Sequence, residues 1–246
     1  MSVKLLSFTK PHTDFPLTEF GKESCTYTSD ALTQLIAYCA RVSNPSNQTN
    51  EDTSENLIKY LIKNKHWSPF EMVNVCLEIE TTRDIARQIL RHRSFSFQEF
   101  SQRYADPRVH LKFVTREARL QDRNNRQSSI EIDDDDDELH HAWYAKQQMI
   151  IHEAELAYGW AIQNGIAKEQ ARAVLPEGLT LSRLHMNGTL RSWIHYIELR
   201  TGNGTQKEHQ EIAIKCSLQI AKVFPLIYGY ISVSYTHLRA HETGRN

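Results

Sequence analysis

Apolar residues recur along this chain with two periods, and the switches between them mark out its elements. Residues 3–8 form a short apolar run that predicts a strand. Over 30–42, Leu32, Leu35, Ile36 and Cys39 fall at helical spacing behind Ser29 as N-cap. An Asn- and Ser-rich loop runs through residue 50. Leu57, Ile58, Leu61 and Ile62 then predict a helix over 54–65, which stops because Pro69 biases Ser68 away from helical geometry. Residues 72–80 alternate, with Val73, Val75, Leu77 and Ile79 on one side and Asn74, Cys76, Glu78 and Glu80 on the other, the best strand pattern in the chain. A helix rich in arginine follows directly. Residues 101–114 read as extended, broken at Asp106-Pro107.

The second half begins with a highly charged stretch, 116–126, and an unbroken acidic run, 133–138. Together they predict a long exposed insertion near 116–139 with a solvated surface. A long amphipathic helix is expected over 140–164, its apolar side marked by Trp143, Ile150, Ala154, Ala157 and Ala161, with Gly165 ending it. A short helix over 168–175 halts at Pro176, 180–186 reads as a strand, and Asn187-Gly188 as a turn. In 189–201, Leu190, Trp193, Ile194 and Ile197 make an apolar stripe, while Arg191, His195 and Glu198 share a separate polar face. After an Asn203-Gly204 turn, a last helix spans 206–223 and meets Pro225. Residues 233–246 lose all periodicity and read as a non-native tail, outside the fold.

Composition narrows the functional classes. With a formal net charge of −1 and 24% charged residues, the chain has no overall pull toward nucleic acid or anionic membrane. Its four cysteines form no CxxC pair, which predicts reduced thiols and a cytoplasmic setting. No long apolar run or signal-peptide pattern is present. The twelve histidines lack metal-ligand spacing, so no metal site is expected.

Against this neutral background, residues 81–104 stand out. They carry Arg83, Arg87, Arg91, Arg93 and Arg103 plus His92 and no lysine. A guanidinium is a planar fork that holds phosphate or carboxylate bidentately. On a continuous helix, Arg83, Arg87 and Arg91 would share a side, with Gln88 close to Arg91; like charges at that spacing call for something negative to offset them. The plain alternative is a solvated basic face with ordinary ion pairs.

The order of residues that follows is more specific. Arg91-His92-Arg93, seven residues, Ser101, then Arg103-Tyr104 resembles the signature of the flavin-dependent thymidylate synthases, with Glu99 at the family's acidic position. His66-Trp67-Ser68-Pro69-Phe70-Glu71 is similar to a second family segment, and Ala171-Arg172-Ala173-Val174-Leu175-Pro176 to a third. The stretch from Leu190-Arg191-Ser192-Trp193 to Leu199-Arg200 is similar to the family's late helix. These arrive in family order across residues 66–210.

The resemblance implies an α+β fold over 1–232, a single domain with a central, mostly antiparallel sheet flanked by helices. It implies a homotetramer with sites shared between subunits. The reaction it implies is reductive methylation of dUMP to dTMP, with 5,10-methylenetetrahydrofolate as carbon donor and NADPH-reduced FAD as hydride source. The residues carried over for dUMP are Gln88, Arg91, Glu99, Ser101, Gln102, Arg103, Arg172 and Arg200, the last at the uracil ring as the catalytic residue. For FAD they are His66, Ser68, Arg91, His92, Arg93, Glu99, Thr189, Arg191 and His195. At the position of Thr189 the family often has Asn. Ser101 has no nucleophile elbow and no His–Asp pair beside it, so its role is binding. A competing class is a nucleic-acid-binding module that uses the Arg helix on the backbone and stacks Phe95, Phe97, Phe100 and Tyr104 on bases.

Overall fold

Every second side chain of the strand over Asn74–Thr82 is buried, and the rest of the molecule is laid against that face. In the computed structural model, the described residues are 1–12, 14–16, 31–132, 137–202 and 204–227. The Ser29 cap, Cys25, the acidic run at 133–136, Asn203 and the 233–246 tail lie outside them. The order is β1 (Ser2–Phe8), α1 (Ala31–Ala40), α2 (Ser54–Lys63), β2 (Asn74–Thr82), α3 (Arg83–Ile89), β3 (Ser96–Glu99) and α4 (Pro107–His110). Then come β4 (Arg119–Gln121), β5 (Ser129–Glu131), α5 (Asp137–Gln163), α6 (Lys168–Ala171), β6 (Leu181–Thr189), α7 (Leu190–Arg200) and α8 (Lys207–Ile220). Short 3-10 turns lie at Ser68–Met72 and Arg172–Val174.

Four strands form one sheet in the order β1-β2-β6-β3, antiparallel throughout. The fold is the expected α+β domain. Val75, Leu77 and Ile79 of β2 and Leu184 and Met186 of β6 point into a core completed by Leu32, Ile36, Phe70, Trp193, Ile212 and Phe224. The opposite face carries polar groups in register: Lys4, Glu78 and His185 are cross-strand neighbours, as are Glu80 and Arg183; Lys4–Glu78 and Arg183–Glu80 are ion pairs, and the His185 Nε2 lies 3.3 Å from Glu78. Trp193 closes the core from α7, its indole N–H donating to the Val75 carbonyl at 2.9 Å, so its one polar atom is satisfied.

Several expectations are corrected here. Asn187-Gly188 is strand, not turn: Asn187 pairs with Cys76 on one side and Ser96 on the other, and hydrogen bonding from both neighbours overrides turn propensity. Glycine is required at 188 because the Phe95 ring occupies the space, and a Cβ would meet it at 2.4 Å. The arginine helix ends at Ile89, so Arg91 does not continue the row of Arg83 and Arg87. The charged insertion is not all loop, since β4 and β5 pair as a hairpin. On α5 the buried line is Gln147, Ile151, Ala154, Tyr158 and Ala161, whereas Trp143, Ile150 and Ala157 are exposed. Trp143, Tyr144, Met149, Ile150, Leu156 and Trp160 are all exposed on this one helix. Among the described residues no helix is long and apolar enough to cross a membrane.

Candidate functional site

The ends of α3 and α7 and the start of α8 converge on one point. There the Arg200 Nε donates to the His92 Nε2 at 2.9 Å. His92 lies edge-on to Tyr196, 4.9 Å between rings, and His209 sits behind, hydrogen-bonded through Nε2 to the Tyr196 hydroxyl at 3.1 Å and through Nδ1 to Gln88 at 3.2 Å. Burial first, then the Arg200 charge, holds His92 down to about 4; the same causes, with His92 added, hold His209 down to about 3. Both rings are therefore neutral near pH 7. Burial also pushes the Tyr196 phenol well up, so it keeps its proton. Arg200 thus has a neutral imidazole against it and no carboxylate within salt-bridge distance among the described residues, an orientation with its positive charge left uncompensated.

That lack of compensation separates the arginines into two groups. Arg83 reaches Glu99 and Glu177, Arg87 reaches Glu99, Arg103 reaches Glu169, and Arg191 pairs with Glu71. Arg91, Arg93, Arg172 and Arg200 have no such partner among the described residues. The negative charge that the row of Arg83 and Arg87 calls for comes from within the chain. Glu99, expected at substrate and flavin, places its oxygens on Ser182 at 2.8 Å, Arg87 at 3.3 Å and Arg83 at 3.8 Å, so its contacts here are with arginines and a serine.

The loop over 91–95 is tied to α7 by Ser192, whose hydroxyl donates to the Ser94 carbonyl at 3.3 Å. Thr189 caps α7, its hydroxyl accepting the Ser192 N–H at 3.3 Å. One turn on, His195 meets Trp67 edge-on at 4.9 Å, which brings the exposed His66 and Ser68 alongside Arg191 and His195. Burial and Arg191 lower the His195 pKa, so it too favours the neutral ring. Of the expected flavin residues, His66, Ser68, Thr189, Arg191 and His195 accordingly lie along the first turns of α7, whereas His92 lies at its far end against Arg200.

A second patch forms where Arg103 meets Glu169 at 3.4 Å and the Arg172 Nε donates to the Glu169 carbonyl at 3.2 Å. Beside Arg103 in the chain, Gln102 is 3% exposed and its Nε2 has no partner, a buried donor without an acceptor. The Ser101 hydroxyl accepts the Arg103 N–H at 3.3 Å. Among the described residues, no hydrogen bond, ion pair or ring contact joins this patch to Arg200.

Sequence reasoning missed Tyr196, Gln206, Glu208, His209 and Arg119. The hint was His209 itself, a polar residue on the same buried stripe of α8 as Ile212, Cys216 and Ile220. The nucleic-acid reading fails on geometry. Phe95 is 9% exposed and packs on Trp193 at 4.8 Å, Phe97 packs on the core, and Tyr104 alone of the four rings is freely exposed, which leaves no row of rings for stacking.

A family model described as "Thymidylate synthase complementing protein" matches residues 25–226. A probable flavin-dependent thymidylate synthase of Paramecium bursaria Chlorella virus 1 is 46% identical, over 92% of this chain and 97% of that one. A flavin-dependent thymidylate synthase of Synechocystis is 45% identical with the same coverage. Among solved structures, the UMP/dUMP methylase PolB of Streptomyces cacaoi, bound with 5-Br dUMP, shares the fold with a TM-score of 0.74 at 23% identity, covering 94% of each chain. By the extent of the family match and the identity to both relatives, the chain belongs to the flavin-dependent thymidylate synthase family.

Proposed function

We propose that this protein makes dTMP from dUMP by reductive methylation, with 5,10-methylenetetrahydrofolate giving the carbon and NADPH the reducing equivalents by way of FAD. The observation that carries the reading is the uncompensated, His92-oriented Arg200 at the meeting of three helix ends. Fixed positive charge aimed where negative charge develops is usually the largest catalytic contribution. At the uracil ring, Arg200 favours loss of the N3 proton and stabilises the ring anion, which makes C5 the nucleophile for the incoming carbon. Arg103, Arg172 and the orphaned Gln102 amide are matched to a phosphate dianion, with Gln88, Arg91 and Ser101 completing the cradle.

The donor set also fits FAD. Two exposed guanidinium groups without carboxylate partners among the described residues, Arg91 and Arg93, suit a pyrophosphate, with His92 between them in the chain and His66, Ser68, Arg191 and His195 offered from the first turns of α7. Thr189 is engaged as a helix cap and Glu99 as an arginine anchor, so their flavin contacts are secondary. When bound, the flavin supplies the hydride; the protein binds, orients and keeps Arg200 charged.

Two features support a homotetramer with shared sites. Among the described residues the Arg103–Arg172 patch lacks a contact to Arg200, and α5 exposes large apolar side chains along its length, Met149, Leu156 and Trp160 among them. The decisive experiment pairs two variants. Arg200→Ala is expected to lose dTMP formation while the purified protein stays yellow, and retained turnover would remove Arg200 from the mechanism. Arg91→Ala with Arg93→Ala is expected to purify colourless; stoichiometric flavin in that double variant would overturn the flavin assignment.

A further inference from the structure

We infer that His209 and Gln206 are positioning residues that fix the Gln88 amide as a hydrogen-bond donor toward the nucleotide, an inference that rests on the function proposed above and names how that site reads its ligand.

Glu208 is buried and accepts only; one oxygen takes the Arg119 guanidinium from the β4–β5 hairpin, and the other lies 2.9 Å from the Gln206 Nε2. An acceptor there forces Gln206 to present its nitrogen, so its oxygen points the other way, to the Gln88 Nε2 at 2.9 Å. Gln88 must therefore donate on that side and turn its own oxygen to His209, 3.2 Å from Nδ1. Facing an oxygen, Nδ1 must carry the ring hydrogen. In the neutral ring, Nε2 is then an acceptor, and the Tyr196 hydroxyl at 3.1 Å donates to it. Every hydrogen from Tyr196 to Gln206 is thus set by one carboxylate, with no freedom for any amide or ring to flip.

The consequence falls on Gln88. One amide N–H is spent on Gln206 and the carbonyl is taken by His209, which leaves the second N–H without a protein partner among the described residues. What Gln88 offers a ligand is a donor, and the atom it selects is an acceptor, a carbonyl or phosphate oxygen of the nucleotide. A flipped Gln88 would present its oxygen there and repel such an atom. His209 is fully buried and lies behind Gln88, so it acts through Gln88 and does not touch the ligand.

The test uses two amides that mimic different ring nitrogens. An Asn side chain places its nitrogen where Nδ1 stands and can still donate to Gln88, whereas Gln reaches the Nε2 position and serves only Tyr196. In purified flavin-loaded protein, titration calorimetry with dUMP is expected to show affinity about tenfold weaker in H209Q, with H209N regaining most of the loss. Flavin content, read by absorbance, is expected to stay level in both. In parallel, magnetic resonance of isotope-labelled histidine in the wild-type protein is expected to show His209 protonated on Nδ1. Equal loss in the two variants, which a merely structural role gives, or wild-type affinity in H209Q, would overturn the inference. A hydrogen on Nε2 would overturn it without touching the function. Wild-type protein that binds no dUMP while His209 carries its hydrogen on Nδ1 would overturn the proposed function and the nucleotide half of this inference together.

Discussion

Mild acid should destabilise this protein through histidine before its carboxylates titrate. His209 has no exposed surface, and burial beside Arg200 and His92 holds its pKa down to about 3. A ring whose folded pKa is lowered binds its proton more weakly folded than unfolded. Its contribution is therefore complete above the ordinary pKa near 6.5 and drains away as pH falls from there toward about 3. The slope for one such group is about 1.4 kcal/mol per pH unit, so between about pH 7.5 and about pH 4.5 His209 alone withdraws roughly 2–3 kcal/mol. His92, held to about 4, acts in the same direction, with a smaller share because it is partly exposed. Glu78, Asp106 and Glu131 lie below the usual carboxylate range and add their own losses at still lower pH. Urea unfolding followed by tryptophan fluorescence at fixed protein concentration, in wild type and H209N, isolates the His209 part because every other group is common to both. The wild type should lose roughly 2–3 kcal/mol more than the variant across that window. A difference between the two proteins that stays constant with pH would refute the reasoning.

Gly188→Ala pushes a methyl group into the Phe95 ring, which is itself wedged against Trp193 at 4.8 Å and cannot retreat. A loss of about 1–3 kcal/mol is expected, and an unchanged denaturation midpoint would show that the ring gives way. Asp84→Asn removes the carboxylate that Arg116 grips at 2.6 and 2.7 Å, the pair that fastens the hairpin to the start of α3. Trypsin should then cut faster between Arg116 and Arg126, and an unaltered digestion rate would mean that Gln147 and the Arg119–Glu208 pair suffice to hold it.

The strand over Asn74–Thr82 was readable from the sequence because its alternation records a physical boundary, one face in the core and one in register with other charges. Elements decided by partners were not. Asn187-Gly188 carries a turn signal at a place where two strands impose extension, and Ser96–Glu99 is too short to show a period. The face of α5 was misjudged for a related reason. Hydrophobicity says which side chains would gain from burial, but the stripe buried within one copy includes Gln147, held by the backbone of Arg116, while Trp160 stays exposed.

The site divides along the same line. Charge in an unusual arrangement is visible in a sequence, and so the arginines of 81–104 stood out, whereas Arg172, Arg191 and Arg200 came from the family resemblance. Which of them are free was not legible, because compensation depends on carboxylates brought from afar: Glu177 to Arg83 and Glu169 to Arg103. The groups that order the site are harder still to read. Gln206, Gln88, His209 and Tyr196 are neutral, and neutral amides and rings carry no pattern that distinguishes a fixed hydrogen-bond row from ordinary core polarity. Only the contact between Arg119 and Glu208, on an insertion and a helix start distant in sequence, gives the row its direction, because an ionised carboxylate can do nothing but accept. A hairpin that looked like a solvated insertion therefore supports, through Glu208 and Gln206, the Gln88 amide donor proposed for the nucleotide.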